Sequence, residues 1–263
     1  MKNSNHLKIY LGSKRPDLAL PKGVLFTSHD SEADFELMRF VDLDVMQPDR
    51  AGEYYWLFSL KRTLCSTGVL PKRITIGFDK RTIFNKPIGI PYVNNQHYHF
   101  ITSEKCTNVE VDEMICPREG EDWLVGLPLF FGGSMTLMEH YHRCHHISDL
   151  LQFSTIAMKF NLPGEFIFQF MNAKFMLPYP SIGTFEVEPF FKILDTLENI
   201  AIGYGGNGWI ERDGYQGKNM RYLLERLQSF MLTVHLDQQG LLNKPEIYGY
   251  HTIQSDSQVY SDF

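Results

Sequence analysis

The sequence predicts an α/β fold, and three observations predict it. LKIYL at 7–11 and RITIGF at 73–78 are short apolar, β-branched runs that read as buried strands. Between them, GEYYWLFSLKRTL at 52–64 places Tyr55, Leu57, Phe58, Leu60 and Leu64 at helical spacing. Strand, crossover helix, strand is the sequence form of a sheet with helices on its faces. Later in the chain the long periodic segments are helical, notably 188–202 and 219–236.

The remaining elements follow in order. VLFTS at 24–28 predicts a second strand, and FELMRFVDLDV at 35–45 fits helix or strand equally. Gly68 and Pro71 stop the first helix. Residues 85–95 (NKPIGIPYVNN) read as loop, 98–102 as strand, and 109–116 as strand plus turn before Pro117. A loop-rich stretch at 119–133 precedes TLMEHYHRCHHISDLLQF at 136–153, which reads as one helix, followed by helical segments at 153–160 and 165–172. MLPYPSIGTFEVE at 176–188 predicts turn and strand, and Pro189 suits the first turn of the helix after it. Six glycines in 203–217 predict a mobile loop. The longest helix, 219–236, carries Met220, Leu223, Leu224, Leu227, Met231 and Val234 on one stripe, with Gly240 placed as its cap. From His251 the chain turns polar and is expected to fray. With no internal repeat or linker, one domain over 1–250 and a polar tail over 251–263 are expected.

Composition narrows the function classes. The 263 residues are 43% hydrophobic and 21% charged, values of a globular protein with a full core. A net charge of −6 argues against bulk nucleic-acid binding. Cys65, Cys106, Cys116 and Cys144 form no CxxC pair, which predicts buried thiols in a reducing compartment. The N-terminal apolar run is too short for a signal peptide, and no stretch reaches the ~20 apolar residues of a transmembrane helix. A cytoplasmic location is the expectation.

Four histidines, His140, His142, His145 and His146, crowd seven residues. On one continuous helix, Leu137, Tyr141, Cys144, Ile147 and Leu151 share a face, while His142, His146 and Asp149 lie opposite. His145 falls on the flank one turn before Asp149, a spacing that suits a hydrogen-bonded pair facing a cleft. HxxxH at His142 and His146 has zinc-binding geometry, yet Arg143 stands where the HExxH motif needs Glu. A metal-dependent hydrolase and a solvated helix face both remain open for this cluster. Asp42-Leu43-Asp44 is a literal DxD, two carboxylates on one side of an extended chain, or surface acids near a turn. In an α/β sheet, ligands bind beyond the carboxyl ends of the strands. That places Ser13-Lys14 and Asp79-Lys80-Arg81 at one edge, where the cations could neutralise a diphosphate. Trp209 in the glycine loop offers a stacking lid, and Glu225-Arg226 faces away from the leucine stripe, with Arg221 one turn before Glu225.

Taken in order, the segments resemble a bacterial family of capsular or exopolysaccharide glycosyltransferases with a GT-A-like fold. LKIYLGSKRPDLALP is similar to the family's opening strand and loop, and GEYYWLFSLK to its E…YWxxK helix. ITIGFDKRTIF resembles the strand ending GLxHYRRYF, and VDEMICP the DxIxP strand. EHYHRCHHISDL is similar to QYxxxHxxxDL, aligning His145 and Asp149. MLPYPSIGTFEVEPF resembles YxxNMFxxxxxxF, and RYLLERLQSFML the xxxERLxxxxL helix, aligning Glu225 and Arg226. The chain departs from the pattern where HYRR is reduced to Asp79-Lys80-Arg81 and where the Asn of NMF is missing.

The resemblance implies a mixed, mostly parallel sheet flanked by helices with a helical C-terminal part. It implies transfer of a sugar from a nucleotide-sugar donor to a saccharide or other hydroxyl acceptor, in surface polysaccharide or glycoconjugate synthesis. Ser13, Lys14, Asp79, Lys80 and Arg81 would hold the donor. Asp149, Glu225 and His145 would be catalytic, and Trp209 and Arg226 would serve the acceptor or a lid. A divalent metal, manganese or magnesium, is compatible but not demanded, since the strand end carries one carboxylate. A non-catalytic carbohydrate-binding protein on the same scaffold is the alternative.

Overall fold

The structure, a computed structural model, describes residues 5–13, 15, 23–29, 32–39, 48–78, 81–92, 95–101, 115, 117–207 and 209–254. A ten-stranded mixed sheet is its backbone. The strands are β1 (His6–Leu11), β2 (Leu25–Ser28), β3 (Phe35–Glu36), β4 (Arg73–Phe78), β5 (Arg81–Phe84), β6 (Ile90–Tyr92), β7 (Asn95–Ile101), β8 (Val125–Gly126), β11 (Gly183–Glu186) and β12 (Tyr248–Gln254). The path runs β3-β2-β1-β4-β5-β12-β7-β6, with β11 also paired to β4 and β8 to β12. The first half is parallel: Ile9 lies opposite Leu25 on one side and Ile76 on the other. β4 then forks. Its lower part pairs antiparallel with β11, and its last residue, Phe78, pairs with Arg81 to start β5. A separate two-stranded ribbon joins β9 (Leu129–Phe130) to β10 (Phe175–Met176).

The helices are α1 (Pro48–Ala51), α2 (Glu53–Ser66), α3 (Leu137–Cys144), α4 (Ile147–Lys159), α5 (Gly164–Met171), α6 (Val187–Asn207) and α7 (Asn219–Gln238). α7 packs against α6 and α2, and α6 against α4. The core between sheet and helices is aromatic. Trp123, Tyr54, Phe58, Phe153, Phe185 and Phe190 are almost wholly buried, and Phe185 stacks on Phe190 at 4.1 Å. β4 has the predicted bounds, as each alternate side chain has an apolar layer to enter on one face or the other. α7 ends as its glycine predicts. Gly240 takes φ +67, its N–H donates to Asp237 and that of Leu241 to Leu236, which closes the helix with a reversed turn.

Four expectations are corrected. The histidine segment is two helices, α3 and α4, broken at His145 and His146, whose backbones are extended. The glycine-rich loop begins late, because α6 runs on to Asn207. A Cβ at Gly203 would lie 2.1 Å from the Phe160 ring, so glycine there serves close packing within a helix. Residues 251–254 belong to β12, between β5 and β7, and not to a polar tail; His251 and Thr252 are buried. Cys65 and Cys144 are free but exposed, each in the last turn of its helix. Of the ambiguous segment at 35–45, Phe35–Glu36 forms a strand edge. Asp42, Asp44, Cys106 and Cys116 lie outside the described residues, as does nearly all of the strand expected at 109–116.

Candidate functional site

The parallel strands β1, β2 and β4 end together, at Leu11, Ser28 and Phe78. α2 starts at that same edge. His29, just past β2, packs its ring 5.1 Å from Tyr55 and 4.7 Å from Trp56 in the first turn of the helix. The start of α2 therefore brings Glu53 to the carboxyl edge. Glu53 is buried; it accepts from the Ser181 hydroxyl at 3.0 Å and lies 2.8 Å from Nη2 of Arg221. Gly52 makes this approach possible. Its φ is +58, and a Cβ there would sit 2.7 Å from the Arg221 side chain.

One turn after Arg221, α7 presents Glu225, half-buried. Burial pushes its carboxyl upward, and the neighbouring Glu53 pushes it further. Arg226, Arg221 and a hydrogen bond from the Tyr179 backbone pull it down without cancelling the rise. Two carboxylates near one another resist ionising together, so a proton is held here more tightly than on an ordinary glutamate.

Tyr179 has φ +47, a left-handed conformation that costs an L-residue of this size of order 1–2 kcal/mol. Neighbouring groups hold it there. Gln228 donates to the Pro180 carbonyl at 3.1 Å while accepting from Tyr54 at 2.7 Å, Ser181 bonds Glu53, and the Ile182 N–H donates to Tyr179. The strain turns the Tyr179 ring onto His251, at 4.3 Å and 5° from parallel, and beneath the Arg81 guanidinium at 4.7 Å. A stack of His251, Tyr179 and Arg81 thus stands at the mouth of β5. Burial and Arg81 hold the His251 imidazole down to about 3, so it is neutral.

The helical side forms a second wall. The break between α3 and α4 leaves His145 buried among three tyrosines: Tyr222 at 4.6 Å, Tyr141 at 4.7 Å and Tyr215 at 5.6 Å. Burial, then the Arg226 charge, lowers His145 to about 4. Tyr215 belongs to the 3₁₀ turn Gly214–Lys218. Gln216 fastens that turn by donating to the Cys144 carbonyl at 3.0 Å and contacting His145 Nδ1 at 3.3 Å. Arg212 donates to Asp149 at 2.9 Å and to Ser148 at 3.1 Å. Asn219, the first residue of α7, donates to the other Asp149 oxygen at 3.0 Å.

Several sequence-predicted residues therefore change standing. Asp149 is fully buried with both oxygens engaged, at the start of α4, and its hydrogen bonds link α4 to Arg212 and α7. His145 and Asp149 share a neighbourhood, but the helix break removes the one-turn pairing expected of them. Though Glu225-Arg226 faces away from the leucine stripe, Arg226 is buried over the Tyr141 ring at 5.0 Å and donates to the Tyr222 carbonyl. Trp209 is no open lid, being half-buried beside Tyr204 with Arg50 over its ring at 4.9 Å. Ser13 is exposed just past β1, and Arg81 opens β5. Lys14, Asp79 and Lys80 lie outside the described residues.

The histidines do not assemble a metal site. His140 stacks on Phe131 at 4.4 Å, and His142 and His146 are exposed. Among the described residues no three His, Cys, Asp or Glu side chains are grouped to hold a metal. Among the described residues, Glu53 at the sheet edge is paired with Arg221 and Glu225 lies in the fields of Arg226 and Arg221, a donor set that does not fit a divalent ion.

Solved structures include one of similar shape. The apo structure of WbbM, a bifunctional glycosyltransferase, superposes with a TM-score of 0.66 at 15% identity, over 95% of this chain. The chain has a GT-A-like fold. The match takes in 46% of the WbbM chain, so this chain spans less than half of that protein's length. No family model matches the sequence, and no curated protein matches it.

Sequence reasoning missed Glu53, Tyr179, Tyr215, Tyr222 and Arg212, and gave Arg221 no place in the site. Glu53 follows a glycine at a helix start, a usable signal for a close approach. Gly214, with φ +56 and open space around it, marks a turn before Tyr215 and no close approach. Nothing local marks Tyr179, whose backbone is fixed by residues at 53, 54, 225 and 228.

Proposed function

We propose that this protein is a glycosyltransferase, moving a sugar from a nucleotide donor to a saccharide or other hydroxyl acceptor. The observation that carries this reading is the position of Glu225. It is a carboxyl group with a raised proton affinity, beside Glu53, Arg221 and Arg226, at the carboxyl edge of a GT-A-like sheet. Arg81 would meet the diphosphate of the donor, steadied by the Tyr179 ring beneath it. Ser13, Lys14, Asp79 and Lys80 are proposed along the same donor edge. Glu225 would take the proton of the attacking hydroxyl, or face the positive charge that develops at the anomeric carbon. His145, held neutral, would shape the acceptor side, and Asp149 would position the wall without touching substrate. The described donor set does not fit a divalent metal, and no step is assigned to one. The resemblance of the motifs extends the reading to surface polysaccharide or glycoconjugate synthesis in the cytoplasm. No helix among the described residues is long and apolar enough to cross a membrane.

The test is donor turnover. Purified protein is offered a panel of uridine, guanosine, cytidine and thymidine diphosphate sugars, and free nucleotide and sugar are measured. Hydrolysis or transfer lost in Glu225→Gln supports the reading. Glycan binding without turnover of any donor replaces it with the carbohydrate-binding alternative.

A further inference from the structure

We infer that Tyr215, His145 and Tyr222 form a stacking ledge for a pyranose ring of an uncharged saccharide, on the helical side of the Glu225 carboxyl. The inference rests on the reading of Glu225 as the reacting centre and names the acceptor's place beside it.

The geometry has three parts. The Tyr215 ring is 61% exposed, although it lies within 12° of parallel to His145 and 34° from Tyr222 at 5.0 Å. Its turn is fastened at several points. Gln216 reaches Cys144 and His145, Arg212 reaches Asp149 and Ser148, and a Cβ at Gly217 would meet the Arg212 carbonyl at 2.8 Å. An exposed ring on a fastened turn loses little freedom when a ligand stacks on it. Tyr222, half-buried, links the outer ring to the inner centre, since it lies within the fields of both Arg221 and Glu225.

The chemistry of the ledge selects its ligand. A pyranose carries axial C–H bonds on one face and hydroxyls around its rim. The negative face of an aromatic ring attracts such C–H groups, and phenol hydroxyls at the ring edges can meet the rim. His145 is neutral, so none of the three rings brings a charge of its own, although Arg226 acts on His145 and Arg221 on Tyr222. The cations Arg81 and Arg221 sit at the sheet edge, on the donor's side. A flat nucleobase would also stack on tyrosine, and that occupant is an outcome of the test.

The test uses the full chain. Saturation-transfer NMR and titration are run with methyl gluco-, galacto- and mannopyranosides and with the four nucleoside diphosphates, on wild type, Tyr215→Ala and Tyr215→Phe. The expected result is transfer to the C–H protons of one pyranoside face. Tyr215→Ala weakens that binding about tenfold, in line with the loss of one aromatic stack, and Tyr215→Phe keeps it. Nucleoside diphosphate binding stays unchanged in all three proteins. The ledge is overturned if no pyranoside binds wild type at tens of millimolar. It is overturned equally if Tyr215→Ala binds pyranosides as wild type does, or if Tyr215→Ala weakens nucleotides instead. Donor turnover without any Tyr215 effect removes the ledge and leaves the transferase. Tyr215-dependent pyranoside binding without turnover keeps the ledge and removes the transferase.

Discussion

Asp149 and Glu225 are both carboxylates beside arginines, and both resemble site residues of one glycosyltransferase family, yet their surroundings are opposite. Asp149 is fully buried, and Arg212, Ser148 and Asn219 donate to its oxygens. Glu225 is half-buried and faces a second carboxylate. A carboxylate with both oxygens engaged in this way ties segments together. A carboxyl crowded by another holds its proton longer and can exchange it with a ligand. On the proposed reading, the same residue chemistry divides into building and reacting according to who the neighbours are.

The sharpest way to break this contrast is to neutralise both in turn. Glu225→Gln is expected to lower turnover by about 10²–10⁴-fold, the range for losing a positioned general base, with little loss of stability. Single-turnover kinetics beside a urea melt check it; an active Glu225→Gln protein sinks the assignment. Asp149→Ala should do the reverse. It strands Arg212 and Asn219 and should lower stability by about 3 kcal/mol, read as a lower urea midpoint.

The pH behaviour sharpens the contrast further. Because the Glu225 proton affinity is raised in the fold, its contribution to stability is present at low pH and fades as pH climbs through the folded value. As a base, it should lose activity as pH falls through that same raised value. His251 and His145 run the other way, being lowered from 6.5 to about 3 and about 4. Their contribution is whole above 6.5 and is lost as pH falls toward those values. His251→Phe, which keeps a ring against Tyr179, should flatten the acid limb of a melting-temperature profile between pH 6.5 and 3. An unchanged limb would exclude His251 as its source.

The smallest expected effect is at the proposed donor mouth. Tyr179→Gly removes the ring under Arg81 but also relieves the left-handed strain, two terms each near ~1 kcal/mol. Thermal stability should therefore change little while donor KM rises about fivefold. A large fall in melting temperature would mean that the ring's packing on His251 outweighs the strain.

What could be read in the chain depended on how local the cause was. β1, β4, α2 and α7 follow from apolar spacing and from stop signals such as Gly68 and Gly240, so they lie near their predicted bounds. The break at His145-His146 has no glycine or proline to announce it. His146 starts α4 without a side-chain cap, and the break is set by distant partners, Gln216, Arg212 and Asn219. α6 runs through Gly203 because Phe160 packs there, which no propensity records. Polarity hid β12, since its His251 and Thr252 are buried in the middle of the sheet. Arg81 was singled out because it follows a strand end; Glu53 and Tyr179 were not, because their partners come from α7.

β12 has a consequence for how the molecule is made. Its partners β5 and β7 are completed by residue 101, while β12 occupies 248–254. A ribosome must add roughly 150 residues before the gap between those strands can be filled. Until then β5 and β7 each expose an unpaired edge, a template for pairing with other chains. The sheet is thus a seam closed late in synthesis, and the interval before closure is when a nascent chain most needs a chaperone.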